Sequence, residues 1–274
     1  MNTSTTLSTR GRHWFEALTA QSGILSPDTP RSVLIADAAL GSETARFLCV
    51  VPDPTARFPR AREGEVGLEE AYTLAACVKE VVDSYQSGQR RPIIAIVDVK
   101  SQAYGRREET AGIHLAAAVA TDAYASARFA GHPIVALVVG QALSGGFLTH
   151  GYQANRILAL DDPHVVIHAM HKQAAARVTM RTVDQLDKLA ATIVPLSYNI
   201  KDFARLGILH DLLQVENAEQ PTSADIAMVK ERLLKAIADA RRGPSDLSVR
   251  WSSGATTART ATLETRKAIL AQWS

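Results

Sequence analysis

Unbroken apolar runs separated by polar turns mark the first part of the chain, and helical spacing takes over later. Ser32–Ala36 and Ala45–Val51 are apolar and bounded by turn residues, which predicts two strands. A loop rich in Pro and Arg runs from Pro52 to Gly64. Beyond Gly67, apolar side chains at Leu68, Ala71, Tyr72, Ala75, Val78, Val81, Val82 and Tyr85 fall on one helical stripe, closed by Gly88. Pro92–Asp98 and Pro133–Gly140 are continuously apolar, as strands buried on both faces must be. Each leads into a turn, Val99–Gly105 in the first case and Gln141–Gly146 in the second. An Ala-rich helix from about Arg107 to Phe129 joins the two units, and Arg156–Leu160 gives a third run. Strand, turn and helix repeated with short connections predict an α/β fold with parallel strands and right-handed crossovers.

From Val178 to Leu213 the spacing is helical, broken at Gly207. Ala224–Arg241 is an amphipathic helix capped by Ser223 or Asp225 and stopped by Gly243 and Pro244. The last stretch is polar until a helical segment at Thr262–Trp273. This divides the chain into an N-terminal arm (1–30), a domain (31–243) and a C-terminal arm (244–274). The isolated apolar residues Trp14 and Phe15, with Trp251, Leu263, Ile269 and Trp273, read as docking surfaces for a partner.

Composition sharpens this picture. Of 274 residues 46% are hydrophobic but only 5% aromatic, which suits helices packed closely on short parallel strands. Thirty basic and 28 acidic residues are interspersed, and the densest basic run, Arg90–Arg91, is too short for a phosphate track, so nucleic acid is not an expected partner. Cys49 and Cys77 lie in apolar segments and read as buried, reduced thiols. The Ser/Thr-rich start lacks the apolar stretch of a secretory signal, and Pro133–Val139 is too short to span a bilayer. A soluble cytoplasmic protein with no membrane partner is expected.

The chemistry should sit where an open parallel sheet puts its ligands, at the carboxyl ends of strands. Gly145 and Gly146, opening a helix, would let an acyl group approach backbone N–H groups that stabilise an oxyanion. The same glycines would equally permit tight strand–helix packing. In the first turn, Gln102 and Ala103 offer a second backbone donor, or the loop merely caps the following helix, whose first turn carries Glu108 and Glu109. Ser144, Gln141, Tyr104, His168 and His171 are expected to line the substrate. Ser144 lacks the glycine two residues earlier that a nucleophile elbow needs, since Ala142 stands there. His164, His168 and His171 are the densest histidine cluster, but the strand-like spacing argues against a metal site. No phosphate-binding glycine fingerprint is present.

The block PIVALVVGQALSGGFLTHGYQANRILAL, Pro133 to Leu160, resembles the oxyanion-hole signature of crotonase-like carboxyltransferases. The preceding PIIAIVDVKSQAYGRREE resembles the other characteristic block of the acetyl-CoA carboxylase carboxyltransferase alpha subunit. Together with RFPRAREGEVGLEEAYTLA, Arg57 to Ala75, they make the chain similar to the gamma subunit family of biotin-independent malonate decarboxylases.

The resemblance implies a crotonase-like (ClpP/crotonase) ββα superhelix. It implies a beta-subunit partner, in a heterodimer or heterotetramer. It also implies an acyl carrier subunit bearing the substrate on a phosphoribosyl-dephospho-CoA arm, for which CoA is an analogue, and no cofactor on this chain itself. The implied reaction turns a malonyl thioester into an acetyl thioester and carbon dioxide through backbone oxyanion holes. The alternatives are a biotin-dependent acyl-CoA carboxyltransferase subunit and a non-catalytic scaffold of the beta subunit. The biotin enzyme's Gly-Gly-Ser-Gly-Gly is replaced by Ala142 to Gly146, its Pro-Gly by Lys100 and Ser101, and its Ser-Pro-Glu-Gly by His168 to His171. These departures favour the decarboxylase.

Overall fold

The computed structural model describes residues 7–21, 29–252 and 258–273. It opens with helix α1 (Arg10–Thr19) and a hairpin of β1 (Val33–Leu40) and β2 (Glu43–Val50), turned at Gly41 with φ 63°. Helix α2 (Leu68–Asp83) leads to β3 (Ile93–Val99), then to α3 (Arg106–Thr110) and α4 (Ile113–Phe129). The single helix expected between the two central strands is thus two, because Gly112 sits at φ 84°. Strand β4 (Ile134–Leu143) runs directly into α5 (Ser144–Thr149), followed by β5 (Arg156–Leu160) and β6 (Val166–His168).

The later part is mostly helical: α6 (Lys172–Val178), α7 (Val183–Ala190), α8 (Ile200–Arg205), α9 (Ser223–Arg242), α10 (Val249–Ser252) and α11 (Thr260–Gln272). One strand, β7 (Asp211–Leu213), lies where only helix was expected. Thr222, rather than Ser223 or Asp225, caps α9. Its side chain accepts from the Asp225 N–H at 3.2 Å, while the Asp225 carboxylate takes the Thr222 N–H in return.

Among the described residues seven strands form one sheet in the order β1-β2-β3-β4-β5-β7, with β6 beside β4. Only the β1–β2 pair is antiparallel. All seven residues of β3 are buried, which is why its sequence shows no alternation. Strand β4 pairs with β5 through Val135–Val138 and with β6 through Gln141–Leu143. Between these halves it carries extra residues relative to β3, a bulge centred on Gly140. The Asp98 carboxylate fills the space there: a Cβ on Gly140 would stand 2.1 Å from Asp98 Oδ1. That oxygen also accepts the Gln141 N–H at 3.0 Å. The bend lets β4 carry its end, and the glycine pair after it, towards the turn that follows β3.

Helix α1 corrects the reading of the N-terminus. Trp14 and Phe15 are buried, not presented to a partner, and with Leu18 they join the main core. The Trp14 indole donates to the Ala218 carbonyl at 2.8 Å, and the Asp98 carboxylate accepts the Gly11 N–H at 3.2 Å. Cys49 and Cys77 are free and buried.

Candidate active site

The two turns meet. Val66 lies on one side of the first turn, its N–H donating to Ser101 O at 3.0 Å and its carbonyl accepting the Ala103 N–H at 2.8 Å. Gly146 lies against the same turn, where an added Cβ would stand 2.5 Å from Ser101 O and 3.1 Å from the Gln102 nitrogen. Glycine is therefore required at 146 because two backbones touch, which is the packing reading of the pair. Gly145 differs. Its N–H donates to Gln102 Oε1 at 2.9 Å, and a Cβ there would meet that same amide oxygen at 2.9 Å.

The expected donors are thereby sorted. The Ala103 N–H is not available to a substrate, because Val66 has already taken it in the bridge between the two segments. Ser101 and Ala103 are buried while Gln102 is half-buried and Tyr104 exposed, the alternation of an extended segment. Ser144 holds a left-handed φ of 52°, which costs of order 1–3 kcal/mol for a residue with a Cβ. Its hydroxyl donates to Ala169 O at 2.9 Å and so ties the second turn to the segment after β6. With only six residues, α5 offers little macrodipole; what it supplies is orientation.

A buried relay fixes that orientation. The Thr149 hydroxyl donates to Gly145 O at 2.6 Å. His150, just past α5, makes contacts of 2.9 Å from Nε2 to Ile96 O and 3.0 Å from Nδ1 to the Tyr124 hydroxyl. Burial lowers its pKa to about 4, opposed in part by the bond to Ile96. The neutral ring then donates from Nε2–H and accepts from the tyrosine at Nδ1, locking α4, α5 and β3 together.

Of the histidines expected at the site, His168 is committed locally, whereas His171 reaches the first turn. The His168 ring stacks on Tyr198 at 4.0 Å between centroids, and its Nδ1 accepts the Met170 N–H at 3.3 Å. Desolvation lowers its pKa. Desolvation lowers the His171 pKa too, opposed by a bond to the backbone of Lys100 in the first turn, while the Lys100 charge acts in the same direction as desolvation. His164 is exposed. Among the described residues no three His, Cys, Asp or Glu side chains converge as metal ligands would. Gln141 lies at the bulge with its Oε1 buried and unpartnered. Tyr104 carries the Arg60 guanidinium 4.1 Å from its ring centroid.

Behind the first turn lies a group that sequence reasoning missed. Glu65 is 3% exposed; its Oε1 accepts from Arg60 at 3.0 Å and its Oε2 has no partner among the described residues. Desolvation raises its pKa against the pull of Arg60 and Lys100. Its position just after a Pro- and Arg-rich loop concealed it. Only the apolar Val66 beside it hinted at burial.

The model of the malonate decarboxylase gamma subunit family matches residues 61–273. This chain belongs to that family. The gamma-family chain is 50% identical to a chain of a Pseudomonas malonate decarboxylase hetero-tetramer solved with coenzyme A. That match covers 96% of this chain and 99% of the other, with a TM-score of 0.90. It is 48% identical to a chain of a Pseudomonas hetero-tetramer solved with malonate, with the same coverage and a TM-score of 0.87. A curated relative from Malonomonas rubra, a malonyl-S-ACP:biotin-protein carboxyltransferase, is 35% identical over 204 residues, or 73% of this chain and 68% of the relative. Transcarboxylase 12S shares the fold at 16% identity and a TM-score of 0.63, over 86% of this chain and 41% of that one. The expected crotonase-like carboxyltransferase fold is therefore the one observed. No described helix is long and apolar enough to cross a membrane.

Proposed function

We propose that this gamma-family chain pairs with a beta subunit, in a heterodimer or heterotetramer, and decarboxylates a malonyl thioester held on an acyl carrier subunit. The observation that carries the reading is the meeting of the two turns, with Gly146 against Ser101 and Gln102 and Gly145 bonded to Gln102, in a chain of this family. The related Pseudomonas complexes solved with coenzyme A and with malonate support a thioester substrate.

In the reaction the bond between the α-carbon and the carboxylate breaks. Its electron pair moves into a thioester enolate, carbon dioxide leaves, and the α-carbon takes a proton from water. Donors at the turns lower the barrier by meeting the oxygen that gains charge. The chain supplies no cofactor of its own on this reading, and the acyl group arrives on the carrier's phosphoribosyl-dephospho-CoA arm. Cytoplasmic residence and a C-terminal arm that docks on the beta subunit belong to the same proposal.

The Malonomonas relative favours a second reading, a carboxyltransferase that passes the carboxyl group to biotin. The complex rebuilt from beta, gamma and carrier subunits separates the two. Decarboxylation is expected to ignore avidin, and avidin inhibition would move the assignment to the biotin enzyme. Gly146→Ala, which drives a methyl group into Ser101 O, is expected to lower turnover about a hundredfold with the complex still assembled by sizing. Full turnover by this variant, or by the complex without gamma, would leave the chain a scaffold.

A further inference from the structure

We propose that the side-chain amide of Gln102 presents its Nε2–H groups to an oxygen of the bound malonyl group, and that Gly145 and Ser101 serve to aim it. This rests on the reading above, in which the two turns form the acyl site. Two donors converge on Gln102 Oε1, the Gly145 N–H at 2.9 Å and the Ser101 hydroxyl at 3.2 Å. A backbone N–H is always a donor, so the oxygen end of this amide is fixed by chemistry rather than by choice of rotamer. Nε2 must then occupy the opposite end. It donates to no group among the described residues, and it is not among the buried polar atoms left without a partner. An amide with one end held by two donors and the other open to solvent is a preorganised donor.

Two of the candidate backbone donors are already committed. The Ala103 N–H goes to Val66 O, and the Gly145 N–H goes to Gln102 itself. The amide lies over Gly145, 2.9 Å from where a Cβ would stand, so a side chain there would push the amide aside. On this view the second turn helps to mount the amide, and a group that touches the substrate is carried by a side chain of the first turn.

The test uses the rebuilt complex with Gln102→Ala, Gln102→Met and Gln102→Glu. Assembly is checked by sizing with light scattering, and steady-state decarboxylation is measured with malonyl-CoA as the soluble probe. Glutamate keeps an oxygen for Gly145 and Ser101 but removes the N–H groups. All three variants are expected to lose about a hundredfold or more in kcat with KM changed less than about threefold. The Gln102→Glu enzyme should regain rate as pH falls and its carboxyl gains a proton to donate. Wild-type kcat for Gln102→Glu alone would reduce the residue to a cap on Gly145 and overturn the proposal. Rates equal to or above wild type for Gln102→Ala and Gln102→Met would make it a plug and overturn the proposal equally. In both cases a slow Gly146→Ala enzyme leaves the acyl-site reading standing. If Gly146→Ala and all three Gln102 variants run at full rate, that reading falls as well.

Discussion

The two terminal helices look alike in sequence and differ in kind. Helix α1 carries Trp14, Phe15 and Leu18; α11 carries Leu263, Ile269 and Leu270, with Trp273 just after it. Every large apolar residue of α1 is in the core, whereas α11 has no buried residue at all. The difference lies in patterning and anchorage. The three apolar residues of α1 fall on one stripe, but Arg266 and Lys267 interrupt the face that Leu263 shares with Leu270. Helix α1 is also pinned by polar bonds to the sheet. Arg10 donates to Val139 O at 3.1 Å and pairs with Asp162 at 2.9 Å, and Asp98 receives Gly11. Helix α11 lies beside Trp251, whose ring carries the guanidinium of Arg266 at 4.8 Å and that of Arg259, just before the helix, at 5.0 Å and borders an open apolar groove of about 560 Å³. An aromatic residue near a terminus thus says little by itself. A continuous stripe with a polar anchor marks a core element, and an interrupted stripe marks a surface.

The strongest way to break this contrast is Trp14→Ala. It leaves a large void beneath α1 and strands the Ala218 carbonyl that accepts the indole N–H at 2.8 Å. A loss of about 3–5 kcal/mol is expected, read from urea unfolding by circular dichroism. A loss below about 1 kcal/mol would mean that α1 is dispensable to the core, contrary to its burial.

Acid offers a second, somewhat smaller lever that acts on the core and spares α11. His150 is lowered to about 4 in the folded chain and returns to its ordinary value on unfolding. Between those values the unfolded chain binds the extra proton, so stability is held above about pH 6.5 and falls as pH drops towards 4. The loss attributable to this residue is about 3 kcal/mol. Unfolding of His150→Gln, compared with wild type across that range, should show a flatter slope. Equal slopes would place the acid sensitivity elsewhere.

The same contrast explains what could be read without coordinates. The strands Pro92–Asp98 and Pro133–Gly140 were legible because burial on both faces leaves an unbroken apolar run. The meeting of their turns was legible because parallel strands put successive turns at one end of a sheet. Helix α1 was misread because its anchors, Asp98, Ala218 and Asp162, are remote in sequence and no local spacing announces them. Within the site, residue types pointed to two turns that meet, but not to the bonds made between them. Nothing in the stretch Lys100–Gly105 shows that Val66 takes the Ala103 N–H or that the Gln102 amide turns back onto Gly145. The partners in those bonds, Val66 with Ala103 and Gln102 with Gly145, are remote in sequence.

The smallest expected effect is the most diagnostic for α11. Trp273 is 86% exposed, so Trp273→Ala should change the unfolding free energy by less than about 0.5 kcal/mol. If the C-terminal arm docks on the beta subunit, the same change removes an aromatic anchor from that interface. Buried aromatic anchors are worth about 2 kcal/mol or more, which is roughly thirtyfold in Kd. Titrating labelled beta subunit against wild type and variant, with unfolding measured in parallel, separates the two effects. Weakened pairing with unchanged stability is the signature of a surface helix awaiting its partner. A loss of stability approaching that of Trp14→Ala would show that α11 packs into its own chain, and the distinction between the two termini would collapse.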